Sequence, residues 1–363
     1  MGSGSGLLLI PGPTPLPPEV QEELAKPALP HYGDAWVKAQ TEARDLLRYL
    51  WSAPEAHMFP IAGPGHAALE SIAYTFLRPG DRVLVLSSGF FGERTHEVLL
   101  SHRLKAELIS SPWGSGVDLA ALREELRKPT KAVAVVHNET STGITNALEP
   151  IVEAAHEAGA FVLVDAVSSL GGISLPFGRL GVDAAFSASQ KCLSAPAGIA
   201  PVAISKSLWE SGDPKSVDGW YLNLFTWDRY EKEWGDWHPT PTTVSSNVFY
   251  AFHRALALLR EEGLDARIAR HARVAAKLRT ALGEVGFRPL GSASLLSNTV
   301  ACLTPPAGVD ATRFVRRLRE EHNVYVSGGL GPLRGKTIRI GTMGTQADPE
   351  IVDWLVKAAR ASL

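Results

Sequence analysis

Short apolar runs alternate with amphipathic helical stretches through the first two thirds of the chain. Three of these runs are rich in β-branched residues and end in small or polar ones: DRVLVLSS at 81–88, KAVAVVHN at 131–138 and AFVLVDA at 160–166. The stretches between them space apolar residues three and four positions apart, which is typical of helices. Apolar strands separated by helices predict a parallel sheet that helices cover on both faces.

The pattern changes after the first two thirds, where long helical stretches precede two further strand-like segments. These segments, LSNTVACLT and TIRIGTM, are separated by a helix that Asp310 is expected to cap. We therefore predict an α/β protein with an N-terminal arm over 1–19 and a large doubly wound domain over 20–248. A smaller C-terminal α/β domain is expected over 249–363.

The composition is that of an ordinary globular protein, with 45% apolar and 20% charged residues. Thirty-six basic and 38 acidic side chains leave a formal charge of −2, which argues against nucleic acid or a membrane surface as a partner. The first apolar run is too short for a signal peptide, and no run of about 18 apolar residues follows, so we expect a cytoplasmic protein. The two cysteines and the scattered histidines show no metal-binding spacing, so we expect no metal site.

The ends of the predicted strands hold several candidate site residues, because ligands of open α/β sheets bind beyond the carboxyl ends of the strands. Gly63 and Gly65 precede a helix, where they form either a phosphate cradle or a plain tight turn. The phenylalanines of SSGFFGERT supply either a flat face for a planar ligand or core side chains. The hydroxyls of HNETSTG at 137–143 either contact a ligand or cap the next helix.

Two ionisable residues follow later strands. Asp165 ends the apolar run FVLVDA, where a buried acid needs a cation or hydrogen bonds. Lys191 lies in SASQKCLSAPAGIAP, a loop of small residues with no acidic neighbour. Pyridoxal phosphate would use the glycine turn, the aromatic ring, the hydroxyl groups, the carboxylate and the lysine together. A Schiff-base lysine and an acidic partner for the pyridinium nitrogen are typical of sites for this cofactor.

The order of these motifs resembles the class V aminotransferases of fold type I, and within them the alanine/serine–glyoxylate aminotransferase group. The resembling segments are LLIPGPTPLPPEV, AGPGHAALE, SSGFFGERT, NETSTG, VDAVSSLGG, SASQKCLSAPAGIAP, HPTPTT and IRIGTMG. The resemblance implies a fold type I PLP-transferase with a large, mainly parallel sheet and a smaller C-terminal domain. It also implies pyridoxal 5'-phosphate as cofactor, small amino-acid and 2-oxo-acid substrates, and a homodimer with shared active sites.

The resemblance further implies roles for residues around the cofactor ring. Lys191 would carry the cofactor as a Schiff base and act as the catalytic base, and Asp165 would pair with the pyridine nitrogen. Val167 and Phe91 would pack on opposite faces of the ring. Thr140 would hydrogen-bond the 3′ oxygen of the ring.

The remaining implied roles concern the phosphate and the substrate. Gly65, His66 and Gln190 would hold the phosphate, and Thr240 would reach the phosphate of the neighbouring subunit. Arg339 would bind the substrate carboxylate, a task suited to a planar, two-pronged donor.

The chain departs from the group's usual pattern at several positions. Pro64 stands where serine or threonine is usual, so one hydroxyl and one N–H donor are lost. Trp237 replaces a frequent tyrosine, and PHYGDAW at 30–36 differs from a segment expected near the substrate. The aromatic stretch 218–239 is expected at an active-site rim or a dimer surface. These departures leave the amino donor open.

The function that these residues predict is a ping-pong transfer of the amino group of a small L-amino acid, of the alanine or serine type, to glyoxylate or pyruvate. The alternatives are a PLP-dependent lyase or cysteine desulfurase and a phosphoserine-type aminotransferase on the same fold. Desulfurases tend to have histidine before the lysine and need a cysteine on a mobile loop, whereas here Gln190 precedes the lysine and Cys302 lies in an apolar strand. Cys192 is expected to be a packed small residue rather than a nucleophile.

Overall fold

The computed structural model of the protein describes residues 6–363, so residues 1–5 of the predicted N-terminal arm lie outside it. The helices are α1 Pro18–Ala25, α2 Asp34–Leu50, α3 Gly65–Phe76, α4 Phe90–Ser101, α5 Leu119–Glu125, α6 Glu149–Glu157, α7 Phe177–Leu180, α8 Lys206–Ser211, α9 Leu224–Glu233, α10 Ser246–Glu262, α11 Leu264–Gly283, α12 Ala311–His322 and α13 Pro349–Ser362. The strands are β1 Leu7–Leu8, β2 His57–Ala62, β3 Arg82–Ser87, β4 Lys105–Ser110, β5 Ala132–Val136, β6 Asn138–Glu139, β7 Ile144–Thr145, β8 Phe161–Asp165, β9 Ala184–Phe186, β10 Ile199–Ile204, β11 Arg288–Pro289, β12 Val300–Thr304, β13 Val324–Tyr325, β14 Ser327–Gly328 and β15 Ile338–Gly341.

The large sheet has seven strands in the order β2-β10-β9-β8-β5-β3-β4. All neighbouring strands pair in parallel except at β10, which runs antiparallel to β2 and β9. In the middle of the sheet, Asp165 of β8 aligns with Val136 of β5 and with Phe186 of β9. The predicted, mainly parallel sheet is confirmed.

Successive side chains of the central strands pack into different apolar clusters on the two faces of this sheet. In β3, Leu84 and Leu86 join one cluster, whereas Val83 and Val85 join the other. Helices α2, α6 and α10 complete the first cluster, and α3, α4 and α9 complete the second. Because side chains alternate along a strand, burial of both faces explains the near-continuous apolar runs.

A second sheet of four strands lies in the C-terminal part of the chain, in the antiparallel order β11-β12-β15-β14. Helices α11, α12 and α13 pack on it around a third apolar cluster. The predicted cap of α12 is confirmed, because the Asp310 carboxylate accepts a hydrogen bond from Arg313 N at 2.6 Å.

The domain boundary predicted between residues 248 and 249 falls inside helix α10. Phe249, Phe252 and Leu256 of this helix belong to the apolar cluster on the large sheet and not to the cluster of the small sheet. We therefore propose that the large domain extends through α10 and that the small domain begins with α11.

The N-terminal segment joins the two parts of the protein. Leu7 of β1 pairs in parallel with Val324 of β13, and Leu9 O accepts a hydrogen bond from Gly341 N at 2.7 Å. A few residues later, Thr14 N donates to Gln190 O at 3.0 Å, at the carboxyl ends of the large sheet. The segment therefore links the small sheet to the loop that carries Lys191.

Candidate active site

The carboxyl group of Asp165 lies at the end of β8, as the sequence pattern predicts. Its Oδ1 accepts a hydrogen bond from Val167 N at 2.8 Å. Burial raises the pKa of Asp165 to about 7, and the nearby charge of Glu139 also raises it, whereas Lys191 lowers it. A carboxyl group in this setting is stabilised in its charged form by a cationic partner.

Lys191 lies in the loop after β9, close enough to Asp165 and Arg339 for their charges to affect its amine. Burial lowers the pKa of Lys191 to about 8; Arg339 adds to this effect and Asp165 opposes it. A lysine with this pKa is partly neutral near physiological pH. The neutral amine is the form that attacks an aldehyde or takes up a proton.

The N-terminal segment covers the side chain of Lys191. Its Nζ donates to Pro11 O at 2.6 Å, and Thr14 Oγ1 donates to Lys191 O at 3.1 Å. Gly12, between these two contacts, has a φ of 77°, and a Cβ added there would lie 2.6 Å from Lys191 Nζ. Both the left-handed backbone and the close approach require glycine at this position.

Gly65 is the first residue of α3 and lies beside Val167 and Ala188. A Cβ added to Gly65 would lie 3.2 Å from Val167 Cγ2 and 3.5 Å from Ala188 Cβ. This close approach places the start of α3 beside Val167 and beside the segment that leads into Gln190 and Lys191.

The first turn of α3 offers backbone donors to an anion. The N–H groups at the start of a helix, here those of Gly65 and His66, have no acceptor inside the helix, and this end of the helix dipole is positive. Burial lowers the pKa of His66, and the charge of Arg94 lowers it further, so the imidazole is neutral at pH 7. A phosphate group matches this helix start.

Phe91 and Ser141, the residue after Thr140, both donate hydrogen bonds to the carboxylate of Glu139. Phe91 is the second residue of α4, and its N–H donates to Glu139 Oε2 at 3.1 Å. Thr140 follows Glu139 in the chain and is buried. Glu139 is absent from the residues predicted from sequence; the signal for it is an acidic residue inside the otherwise hydroxyl-rich HNETSTG segment.

Arg339 reaches the site from the small sheet, where β15 pairs with β12 and β14. Its Nε donates to Gly328 O at 2.9 Å, which orients the guanidinium. Burial lowers the pKa of Arg339, and the nearby Glu139 carboxylate opposes that effect. Arginine remains a cation in proteins, and the two Nη groups are the donors that a carboxylate would contact.

Thr240 lies in the loop between α9 and α10. Its Oγ1 donates to Thr242 O at 3.0 Å, within its own loop. That loop contacts the segment that departs from the family pattern, because Gly33 N donates to Trp237 O at 2.8 Å. Thr240 itself is buried in this loop, with 1% exposure.

The residues that come together fit pyridoxal phosphate. An amine, a half-buried carboxyl group, a glycine at a helix start and an aromatic ring lie around the carboxyl ends of the central strands. These four groups match, respectively, the aldehyde, the pyridine nitrogen, the phosphate and the ring of the cofactor.

Two further features concern metal ions and membranes in the described residues 6–363. Within that range, no group of three or more His, Cys, Asp or Glu side chains is placed to share a metal ion. No helix in the same range has the length and apolar character needed to cross a membrane.

Comparisons with known proteins identify the family of the chain. The family model for aminotransferase class-V matches residues 8–350. An uncharacterized aminotransferase of Methanocaldococcus jannaschii is 35% identical over 351 residues, which cover 95% of this chain and 90% of that protein. The soluble hydrogenase small subunit of a Synechococcus species is 34% identical, with the same coverage.

A solved structure is similar over the whole chain. The crystal structure of an alanine–glyoxylate aminotransferase from a Nostoc species has a TM-score of 0.94 and 34% sequence identity, and the match covers 100% of this chain and 96% of that one. Together with the site geometry, these matches show that the chain belongs to the class-V aminotransferases, a family of fold type I.

Proposed function

We propose that the protein is a PLP-dependent transaminase that moves the amino group of a small L-amino acid, of the alanine or serine type, to glyoxylate or pyruvate. The observation that carries the proposal is that Asp165 at the end of β8, the start of α3 and the loop that carries Lys191 meet at one edge of the large sheet. The name of the Nostoc relative, alanine–glyoxylate aminotransferase, supports the substrate class.

The protein's own groups would orient the reactants and move a proton. When bound, pyridoxal phosphate supplies a ring that accepts electrons from the substrate's α-carbon. The Asp165 carboxylate would keep the pyridine nitrogen protonated. The neutral Lys191 Nζ would take up the α-proton as a general base. The Nη groups of Arg339 would bind the α-carboxylate and so hold the α-carbon beside that base.

We also propose a homodimer in which the Thr240 loop faces the neighbouring subunit. This loop shares a surface with Tyr32, Trp234 and Trp237, whose side chains are 48%, 43% and 51% exposed. The rings of Tyr32 and Trp237 lie 5.6 Å apart between centroids. Exposed aromatic clusters are typical of protein interfaces, which supports placing the neighbouring subunit on this surface.

The chemistry of the two cysteines weighs against the desulfurase alternative. A desulfurase needs a reactive thiolate, and reactive cysteines have lowered pKa values. Burial raises the pKa of Cys192 to about 12 and that of Cys302 to about 11, so both are neutral thiols at pH 7.

A donor screen in a single half-reaction tests the proposed function. Protein loaded with pyridoxal phosphate is mixed separately with L-alanine, L-serine, L-aspartate, L-cysteine and O-phospho-L-serine, and the visible absorption band of the cofactor is followed. We expect L-alanine or L-serine to remove the band and glyoxylate or pyruvate to restore it. The Lys191→Ala variant serves as the control and should not respond.

Other outcomes of the screen would replace the proposal. Formation of L-alanine from L-cysteine, with sulfide released only when a thiol reductant is added, would indicate a desulfurase. A response to O-phospho-L-serine alone would indicate a phosphoserine-type aminotransferase.

A further inference from the structure

Glu139 is a buried carboxylate that none of the proposed steps uses. It ends the short strand β6, directly before Thr140, and its side chain has no solvent exposure. Burial raises the pKa of Glu139, which means that the protein disfavours its charged form unless hydrogen bonds compensate.

Four donor groups partly offset the effect of burial, and all of them donate to the carboxylate. Phe91 N and Gly92 N each donate to Oε2 at 3.1 Å. Ser141 donates to Oε1 twice, from N at 3.0 Å and from Oγ at 2.6 Å. An acceptor surrounded by donors is best satisfied in its ionised form, which accepts only.

The helix start beside Glu139 has no cap of its own. Gly89 is the N-cap residue of α4 and has no side chain to accept a hydrogen bond, so Glu139 caps the helix from 48 residues further along the chain. A Cβ on Gly89 would lie 2.7 Å from Glu139 Cγ, so this glycine makes room for the carboxylate. The negative charge at a helix N-terminus is also stabilised by the helix dipole.

The two sets of hydrogen bonds connect two cofactor-facing positions. On one side they fix the backbone of Phe91, the residue expected to stack on the ring. On the other side they tie Glu139 to Ser141 and so hold the intervening Thr140, the residue expected to contact the 3′ oxygen. A change in Glu139 would alter the placement of both groups.

We propose that Glu139 is a positioning residue that holds Phe91 and Thr140 in fixed relation to each other, and so orients the cofactor ring. This inference rests on the proposed function, because it requires pyridoxal phosphate to bind at Lys191. It assigns Glu139 no contact with substrate and no proton transfer.

The test compares Glu139→Gln with Asp118→Asn. Both changes convert a helix-capping carboxylate to an amide of the same shape, and Asp118 caps α5 by accepting from Ala120 N at 3.0 Å and Ala121 N at 2.9 Å. Three quantities are measured: the melting temperature of the apoprotein, the dissociation constant of pyridoxal phosphate, and the visible circular dichroism of the bound cofactor.

We expect both variants to melt at a lower temperature than the parent. Only Glu139→Gln should weaken pyridoxal-phosphate binding, by about tenfold or more, since an amide N–H₂ would face backbone N–H groups in place of a charged acceptor. Its visible circular dichroism should also change, because the ring is no longer held in one orientation. Parent affinity and parent circular dichroism in Glu139→Gln would overturn the inference.

A double-mutant cycle with Phe91→Leu tests whether Glu139 acts through the ring. If it does, the double variant should bind pyridoxal phosphate more tightly than the sum of the two single losses predicts. Additive losses would overturn the positioning role.

Ser141→Ala is the substitute variant for the same measurements if Glu139→Gln does not fold. It removes one hydroxyl donor from the cluster and should produce a smaller loss of affinity with the same change in circular dichroism. An unchanged signal would again contradict the inference. A parent protein that binds no pyridoxal phosphate at all would instead refute the proposed function.

Discussion

A lysine with a pKa of about 8 has roughly a tenth of its amine in the neutral form at pH 7, far more than an ordinary lysine has. Only the neutral amine attacks an aldehyde, so the rate at which the apoprotein captures pyridoxal phosphate should rise with pH through about 8 and then level off. Stopped-flow absorption at a series of pH values measures this rate. A rate that keeps climbing toward the ordinary lysine pKa of about 10.4 would show that burial does not activate Lys191.

The guanidinium of Arg339 leads to a prediction about substrate binding. Arg339→Lys should weaken the binding of amino-acid and oxo-acid substrates by about 2–5 kcal/mol, because a point charge cannot replace a two-pronged donor in a buried site. The visible spectrum of the bound cofactor should stay as in the parent. The matched control is Arg334→Lys, a change of the same kind at an exposed position. Unchanged kinetics with L-alanine in Arg339→Lys would remove Arg339 as the carboxylate anchor.

At the scale of single residues, the sequence predicts the position of a polar side chain best where that side chain follows an apolar strand. Asp165 and Lys191 could be predicted because apolar runs locate the strand ends, and parallel strands bring their carboxyl ends together. Glu139 could not, because its partners Phe91 and Gly92 are 48 and 47 residues away and its role depends on a helix start that lacks a cap.

At the scale of elements, the N-terminal segment is the part of the site furthest in sequence from the residue it covers. Gly12→Ala should lower the free energy of unfolding by about 1–2 kcal/mol, because alanine disfavours the left-handed backbone. It should also displace the Lys191 side chain, because the new Cβ would lie 2.6 Å from Nζ. We expect turnover to fall by about 100-fold, the size of effect that a displacement of about 1 Å has in an active site.

The control for this change is Gly159→Ala. Gly159 follows α6 with a φ of 73° and has no atom within 4 Å of an added Cβ, so it bears the backbone cost without touching the site. It should lose similar stability and keep full turnover. Equal turnover in the two variants would show that the N-terminal segment does not position Lys191.

The longer elements were predictable and the shortest were not. The run at 131–138 contains β5, and Asp310 caps α12 as expected, because apolar periodicity and capping are local properties. The two-residue strand β1 exists only because Leu7 pairs with Val324, more than 300 residues away. No local pattern encodes such a pairing.

For the whole molecule, the two apolar clusters on the faces of the large sheet explain why the overall architecture could be read from the alternating pattern. Strands buried on both sides need apolar residues at every position, and that requirement is visible in sequence. The predicted domain boundary at residues 248–249 stays a prediction, and the amphipathic pattern of α10 does not say which sheet the helix covers.

The proposed homodimer gives a prediction at this scale. The parent should have about twice the 39.0 kDa mass of one chain in light scattering, and Trp237→Asp should shift it toward the monomer by placing a charge in an apolar interface. Trp354→Asp is the control, since Trp354 is a tryptophan of α13 with 42% exposure. A dimer that survives Trp237→Asp unchanged would place the interface elsewhere.

The central claim is that Lys191 holds pyridoxal phosphate, and chemical trapping tests it most directly. The loaded protein is reduced with borohydride, digested, and searched by mass spectrometry for the lysine that carries the cofactor. The account predicts a single labelled lysine, Lys191, and loss of that label in Lys191→Ala. Label on a surface residue such as Lys206, or no label at all, would contradict it.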